Sequence, residues 1–272
     1  MKKSFTAFWR RNLAFSELAI VSNLEYRFNF FIDAFMQPMI SVGIEVLLWF
    51  AIFKTANTLQ IGGFTQEYYL AYSVWAPFLG RIAVSWMYES MMVEEVASGS
   101  INVVLTRPIS FYEYYLSQMM GYKVITTALS LLVPLIASYY FKLPVIFDRI
   151  PLALLLVVYY LFLVHTLSFI VATFAFFLTR IRSFTLVKNL ILWLLAGELI
   201  PIDLMPSFLS KTLLWLPFSA GVYTPVAYIT GRVDASLMLQ SFISVTISLF
   251  VFCLFSHWFW KKGLREYTGT GA

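Results

Sequence analysis

Six long apolar runs dominate this chain, and the connections between them carry most of its charged residues. A helix needs about 20 mostly apolar residues to cross the roughly 30 Å hydrocarbon core of a bilayer. Within lipid, a helix also satisfies its own backbone polar groups. We therefore predict an all-α integral membrane protein that forms one transmembrane domain over residues 1–272. The six transmembrane helices are expected near residues 30–53, 68–92, 119–141, 151–178, 184–200 and 237–260.

The amino-acid composition argues against a soluble protein. Of the 272 residues, 60% are hydrophobic and 12% are charged, whereas a soluble domain is about half apolar and about a quarter charged. The net charge of +5 is spread between the apolar runs, and a nucleic-acid-binding protein would gather it on one polar face. We therefore expect the lipid bilayer, and no nucleic acid, to contact this chain. One cysteine and two histidines are too few for a metal cluster.

Lysine and arginine, which are enriched in cytoplasmic loops, predict the orientation of the chain. Six spans place both termini on one side, and that side carries thirteen basic residues against five on the other. We therefore predict a multi-pass protein with both termini in the cytoplasm. The cytoplasmic set is Lys2, Lys3, Arg10, Arg11, Arg27, Arg107, Lys123, Arg180, Arg182, Lys188, Lys261, Lys262 and Arg265. The outer set is Lys54, Lys142, Arg149, Lys211 and Arg232, while Arg81 falls within the second span.

Two segments on the cytoplasmic side have distinctive patterns. Residues 1–27 mix aromatic side chains with arginine, which predicts an N-terminal interfacial helix along the inner leaflet. The alternative is an ordinary positively charged tail that sets the topology. Residues 93–118 form the first long cytoplasmic loop. Within this loop Pro108 disfavours helix at Arg107, so a short helix should end there.

The long outer connection, residues 201–236, is apolar but is repeatedly broken by proline. Its apolar pieces are too short to cross a bilayer. We therefore predict re-entrant outer helices between spans five and six, which enter the outer leaflet and return. The four prolines are Pro201, Pro206, Pro217 and Pro225.

Ionisable residues within the predicted spans are candidates for a substrate path, because each costs about 2.5–3.5 kcal/mol at a helix centre. They are Glu45, Arg81, His165 and Glu198. Glu45 and Arg81 lie at depths that a long arginine side chain can bridge, so an interhelical ion pair is the structural alternative for them. For His165 the alternative is an interhelical hydrogen bond. Asp33 and Glu89 lie near the cytoplasmic ends of spans, where we expect solvated or capping roles.

The sequence carries no motif for covalent chemistry of its own. It has no Gly-x-x-x-x-Gly-Lys-Ser/Thr phosphate-binding loop, no Gly-x-Gly-x-x-Gly dinucleotide motif and no Gly-x-Ser-x-Gly nucleophile elbow. We therefore expect a chain that is not catalytic and binds no cofactor. Its energy source must then be a partner protein or an ion gradient.

Four stretches carry a family resemblance over nearly the whole chain. They are residues 23–30 (NLEYRFNF), 98–108 (SGSINVVLTRP), 199–206 (LIPIDLMP) and the ending 260–272 (WKKGLREYTGTGA). Each stretch is loose by itself, but their order and their placement between the spans resemble the membrane subunit, or permease, of ABC-2-type transporters.

The resemblance implies an ATP-driven exporter of a bacterial plasma (inner) membrane. Such an exporter has two permease subunits, as a homodimer or a heterodimer, and two separate ABC ATPase subunits, which bind the ATP and Mg²⁺. The substrate path would lie between the permease subunits. The resemblance also implies that the loop 93–118 docks on the ATPase. Carried over to this sequence, the ATPase-coupling residues are Glu94, Glu95, Gly99, Arg107 and Pro108.

Two other classes of protein stay open at this point. An ion-coupled secondary transporter would use Glu45, Arg81 or His165 and would need no ATPase. A membrane-embedded enzyme or a scaffold is the second alternative, although the sequence shows no convergent polar groups at one membrane face.

Overall fold

The computed structural model describes residues 2–25, 27–178 and 181–267. Tyr26, Arg180 and residues 268–272, which entered the sequence predictions, lie outside the described residues. Within them the chain is helical apart from one two-stranded hairpin. The predicted class, an all-α membrane protein, agrees with this architecture.

Thirteen α-helices lie within the described residues. They are α1 (Lys2–Glu25), α2 (Arg27–Phe31), α3 (Gln37–Ala56), α4 (Gln66–Ala83), α5 (Trp86–Ser98), α6 (Ile101–Leu105), α7 (Phe111–Ser130), α8 (Leu132–Tyr140), α9 (Ile150–Thr173), α10 (Arg182–Ala196), α11 (Ser207–Trp215), α12 (Tyr223–Ile229) and α13 (Ala235–Glu266). A π-helix covers Ile32–Met36, and 3₁₀ helices cover Phe147–Arg149, Phe174–Phe176, Ile202–Leu204 and Pro217–Gly221. The antiparallel hairpin pairs β1 (Gln60–Ile61) with β2 (Phe64–Thr65).

Four helical stretches of the described residues are long and apolar enough to cross a membrane. They are Phe28–Ala56, Phe111–Tyr140, Phe147–Phe176 and Ala235–Glu266. These correspond to the predicted first, third, fourth and sixth spans. The count of six, which needs α4 and α10 as further spans, stays a prediction.

The predicted second span is not one helix. Residues 68–92 are divided between α4 and α5, because Val84 adopts an extended conformation with ψ at 150° and interrupts the helix. The predicted continuous helix was therefore wrong at this point. The break lies beside a cavity lined by charged residues, where it redirects the chain.

Helices α4 and α9 form the centre of the bundle. Most side chains of both helices are buried, including the large residues Trp75, Tyr72 and Tyr160. By contrast, α3 exposes apolar side chains such as Ile44 and Leu47, at 62% and 69%. An exposed apolar face of this extent needs lipid or another protein as its neighbour. Helix α3 therefore packs on the core with one side and presents an apolar face suited to a bilayer on the other.

The N-terminal segment is helical, as predicted, and it packs along α7. Gly121 permits the crossing, because a Cβ atom at that position would collide with the backbone of Ser16. The Ser16 hydroxyl donates to the carbonyl oxygen of Ser117 at 2.9 Å, and Arg11 pairs with Glu113 at 3.2 Å. The position of α1 at the surface of a bilayer stays a prediction.

The connection 201–236, predicted to lie on the outer side, consists of short helical pieces, as its prolines predicted. Asp203 ties this segment to the core: the hydroxyls of Tyr68 and Tyr223 donate to its carboxylate at 3.0 and 2.8 Å. Arg232 pairs with the same carboxylate at 3.0 Å and lies over the ring of Phe64, with the guanidinium carbon 3.7 Å from its centroid. Whether these pieces re-enter the membrane stays a prediction.

Candidate functional site

A polar cavity of about 420 Å³ lies inside the apolar bundle. It is bordered by the π-helix, α3, the end of α4, the start of α5, α7 and α10, and it has both charged and aromatic walls. The lining residues with charged side chains are Asp33, Glu45, Arg81, Lys123 and Glu198, and the aromatic ones are Trp86, Tyr88, Tyr122 and Trp193. Polar groups are expensive inside a membrane and usually mark a path or a binding site.

Three of the four intramembrane residues singled out from the sequence meet at this cavity. Glu45, Arg81 and Glu198 line it, although they come from three different helical regions. His165 does not. Its ring is fully buried elsewhere, with Nε2 3.2 Å from the carbonyl oxygen of Tyr112, while Nδ1 has no hydrogen-bond partner. The interhelical hydrogen bond offered as the alternative for His165 is therefore present.

The ion partner of Arg81 is Asp33. Their charged groups are 2.9 Å apart, and Arg81 also donates to the side-chain oxygen of Gln37 at 2.8 Å. The alternative of an ion pair between Glu45 and Arg81 was therefore wrong. Asp33 caps no helix among the described residues, but its side chain is 33% exposed and so is partly solvated, as expected. Glu45 lies twelve residues beyond Asp33 along one helical run, about 18 Å further at 1.5 Å per residue. Because Arg81 pairs with Asp33 and not with Glu45, the end of α4 lies beside the beginning of the helical stretch that contains both carboxylates.

Lys123 is a cavity residue that the sequence analysis missed. It lies about 18 Å along α7 from Phe111, and its ammonium group donates to the carbonyl oxygen of Arg81. That carbonyl is close to the break after α4, where the regular helical hydrogen bonds end. Counting Lys123 with the cytoplasmic loop was thus wrong. The remaining twelve basic residues against five predict the same orientation.

Glu198 reaches the cavity because α10 ends just before it. Gly197 terminates the helix with a φ of 84°, a conformation that favours glycine. The carboxylate of Glu198 then packs against the backbone of Gly80 on α4, where a Cβ atom would collide with it. Two glycines therefore place this carboxylate, one by turning the chain and one by leaving space.

A second charged cluster joins α5, α9 and α10. Glu89 is fully buried and forms an ion pair with Lys188, whose side chain is 15% exposed. The Ser168 hydroxyl also donates to Glu89, and it lies 2.8 Å from the Ser85 hydroxyl at the helix break. The predicted solvated or capping role for Glu89 was therefore wrong. The burial of Glu89 could have been anticipated only by knowing that α5, α9 and α10 are neighbours.

Residues 93–118, the loop predicted to be cytoplasmic, contain the short helix that Pro108 predicted, since α6 ends at Leu105. Gly99 ends α5 with a φ of 78°, and its carbonyl oxygen accepts a hydrogen bond from the Tyr267 hydroxyl at 3.1 Å. Arg107 is half-buried, with its guanidinium carbon 5.2 Å from the centroid of the Tyr114 ring. Gly99 and Arg107, two of the five predicted coupling residues, therefore make contacts within the chain that hold the loop in its conformation.

Glu95 also faces inward. Burial raises the pKa of its carboxyl group. Two interactions oppose that rise, a hydrogen bond with the Tyr115 hydroxyl and the positive charge of Arg107. Five of the exposed residues of the loop, Glu94, Asn102, Val103, Leu105 and Pro108, are here called the loop surface. Val103 and Leu105 are 58% and 42% exposed, and the sequence analysis did not single them out.

The family comparison covers most of the chain. A family model described as an ABC-2 family transporter protein matches residues 39–271. The chain belongs to the ABC-2 transporter family. No curated protein matches it.

Membership makes this ABC-2 protein a multi-pass membrane permease of an ABC transporter. Such permeases are generally the non-catalytic membrane component of the assembly. The matched region contains the loop surface and every charged cavity residue except Asp33. The sequence analysis named Asp33 but did not place it in the cavity, and the signal that could have done so is its helical spacing of four from Gln37, which shares its partner Arg81.

Proposed function

We propose that this chain is the membrane subunit of an ATP-driven exporter in a bacterial inner membrane. The observation that carries the proposal is the charged cavity bordered by helices of an apolar bundle, in a chain that belongs to the ABC-2 family. Two permease subunits, identical or different, would form the substrate path at their interface. Two separate ABC ATPase subunits would bind ATP and Mg²⁺, and this chain would bind no cofactor.

The proposed topology has six spans, both termini in the cytoplasm and re-entrant outer helices. In this arrangement α4 and α10 complete the set of spans that the four long apolar stretches begin. Twelve basic residues on the side of the termini support the orientation. Cysteines introduced at exposed Ser100 and Leu59 test it: a membrane-impermeant thiol reagent should label Leu59→Cys in intact cells and Ser100→Cys only after lysis. Labelling of Ser100→Cys in intact cells would overturn the topology.

The loop surface is the proposed contact with the ATPase. Its exposed Val103 and Leu105 offer apolar area, and Glu94 and Asn102 flank them with polar groups. Glu95, Gly99 and Arg107 contribute by holding the loop in shape. ATP binding would close the ATPase pair, move this loop and shift the cavity between two states of access.

Co-purification tests the coupling. The tagged chain is expressed with a candidate ABC ATPase from the same genome, and the ATPase is measured in the eluate and by ATP hydrolysis. Val103→Glu and Leu105→Glu should each remove most of the bound ATPase, because a charge would be buried at the contact. Leu59→Glu is the matched control, since Leu59 is 90% exposed on the predicted outer side. Equal ATPase recovery from all variants would contradict the proposal.

The ion-coupled alternative makes a different prediction. Transport by a secondary carrier collapses with the proton or sodium gradient and continues without an ATPase. Of the three residues offered for it, Glu45 and Arg81 line the cavity while His165 lies outside it. Transport into inverted vesicles that requires ATP and survives an ionophore would favour the exporter over this alternative.

A further inference from the structure

The charges that line the cavity do not balance. Three carboxylates, from Asp33, Glu45 and Glu198, face two cations, Arg81 and Lys123. With all five groups ionised, one negative charge is in excess. A net charge in a space of low dielectric is costly unless a counter-charge joins it.

The excess falls on Glu45 and Glu198. Asp33 is paired with Arg81 at 2.9 Å, and Lys123 donates to a backbone carbonyl oxygen. Within the part of the chain that the structure describes, neither Glu45 nor Glu198 forms an ion pair. Yet Glu198 is built into place by Gly197 and Gly80. Lys123 acts electrostatically on Glu198 but forms no ion pair with it among the described residues. A carboxylate that the fold positions without a cation in direct contact is suited to receive one from a ligand.

The aromatic lining favours the same ligand charge. Trp86, Tyr88, Tyr122 and Trp193 contribute to the walls. The faces of tryptophan and tyrosine rings attract organic cations. They also provide apolar area for the body of a ligand. The volume of about 420 Å³ falls within the range of small-molecule sites, about 300–1,000 Å³.

We propose that this cavity binds a monovalent organic cation with an aromatic or apolar body, and that Glu45 and Glu198 receive its charged group. The proposal names the cargo class of the exporter proposed above, and it rests on that function for its role in transport. Binding itself needs only this chain. It can therefore be measured without an ATPase.

Fluorescence anisotropy of ethidium with the purified full chain in neutral detergent tests the site. Ethidium is an aromatic monocation, and fluorescein serves as an aromatic anion of similar size. We expect saturable ethidium binding above that of empty micelles, displacement by tetraphenylphosphonium, and no saturable binding of fluorescein. Glu45→Gln and Glu198→Gln should each weaken ethidium binding about tenfold, as expected when a charged hydrogen-bonding partner is lost. Glu67→Gln, at the exposed start of α4, should bind as the unchanged chain does.

A second set of variants keeps the charges and removes the rings. Trp86→Leu and Trp193→Leu should weaken ethidium binding several-fold, whereas Trp215→Leu, at a 73% exposed position outside the cavity, should leave it unchanged. Size-exclusion elution confirms that each variant is folded. Wild-type affinity in both glutamate variants, or fluorescein binding as tightly as ethidium, would overturn the proposal. Displacement of ethidium by sodium or potassium alone would also overturn it, because the site would then belong to an inorganic cation.

The two proposals can fail separately. Co-purification of an ATPase with a chain that binds no organic cation would remove the cargo class and leave the exporter. Specific ethidium binding to a chain that recruits no ATPase would leave the site and remove the exporter.

Discussion

The guanidinium group of Arg81 lies 2.9 Å from the carboxylate of Asp33, and this ion pair joins the end of α4 to the beginning of the first long helical run. The two side chains are 18% and 33% exposed, so the pair is partly screened. It stands at the wall of the cavity and beside the break between α4 and α5. Among the described residues, the pair therefore positions the cavity cation that already has a carboxylate partner.

Removing either member of this pair should destabilise the protein. We expect Arg81→Glu or Asp33→Arg to lower the free energy of unfolding by about 1–3 kcal/mol, between the values for exposed and buried pairs. The double variant that combines Arg81→Glu with Asp33→Arg should recover most of the folded yield, measured by fluorescence size-exclusion chromatography. The swap of Arg81→Glu with Glu45→Arg is the control and should recover none. Rescue by the Glu45 swap would contradict the observed pairing.

The buried pair of Glu89 and Lys188 should be more sensitive. Lys188→Met leaves a fully buried carboxylate without its cation, which typically costs about 3–5 kcal/mol. We expect loss of most folded protein, and recovery when Glu89→Met is added, because an apolar pair of similar size can replace an ion pair. Lys211→Met at an exposed position is the matched control. Normal thermal stability of Lys188→Met alone would refute this reasoning.

The crossing of α1 over α7 should depend on the small size of Gly121. A methyl group there would meet the Ser16 backbone, so Gly121→Ala should cost about 1–3 kcal/mol, as overpacking does. Thermal unfolding followed by tryptophan fluorescence measures the effect. Gly43→Ala tests the specificity, because a Cβ atom at Gly43 meets nothing within 4 Å. Equal melting temperatures for the two variants would show that α1 does not pack as described.

Asp203 should hold the outer connection to the bundle. Asp203→Asn keeps the shape of the side chain but removes the charge that Arg232 and two tyrosine hydroxyls share. We expect a loss of about 2 kcal/mol, typical of hydrogen bonds to a charged group. Limited proteolysis should then cut within 201–236 sooner than in the unchanged chain. Asp148→Asn, on an exposed 3₁₀ turn, should show no such change.

Glu95 should make stability depend on pH. Its pKa is raised by burial in the folded chain, so the folded state binds a proton more tightly than the unfolded state. This contribution is present below the ordinary carboxyl pKa and is lost as the pH rises through the raised value. Glu95→Gln should therefore match or exceed the unchanged chain in melting temperature at pH 7. The control Glu94→Gln, at an exposed position, should leave the melting temperature unchanged. A lower melting temperature for Glu95→Gln than for the unchanged chain at pH 7 would contradict the burial effect.

Local features of the sequence were sufficient to predict where several helices end. Pro108 correctly predicted the end of α6, and the prolines of 201–236 correctly predicted its short pieces, because proline acts on its own backbone. The second span was misjudged because its apolar content continues across Val84 and Ser85. Hydropathy does not report a backbone break that neighbouring helices and Lys123 stabilise.

Hydropathy, charge placement and motif order are properties of consecutive residues, so they were sufficient to identify a membrane protein and its family and to predict its orientation. The sequence also identified Glu45, Arg81 and Glu198 as unusual, since an ionisable residue in an apolar run is visible without a structure. The folded structure was needed to show that these three share a cavity, that Arg81 pairs with Asp33 and that His165 lies elsewhere. Such contacts depend on which helix faces meet and at what height, and residues 36 positions or more apart carry no local signal of them.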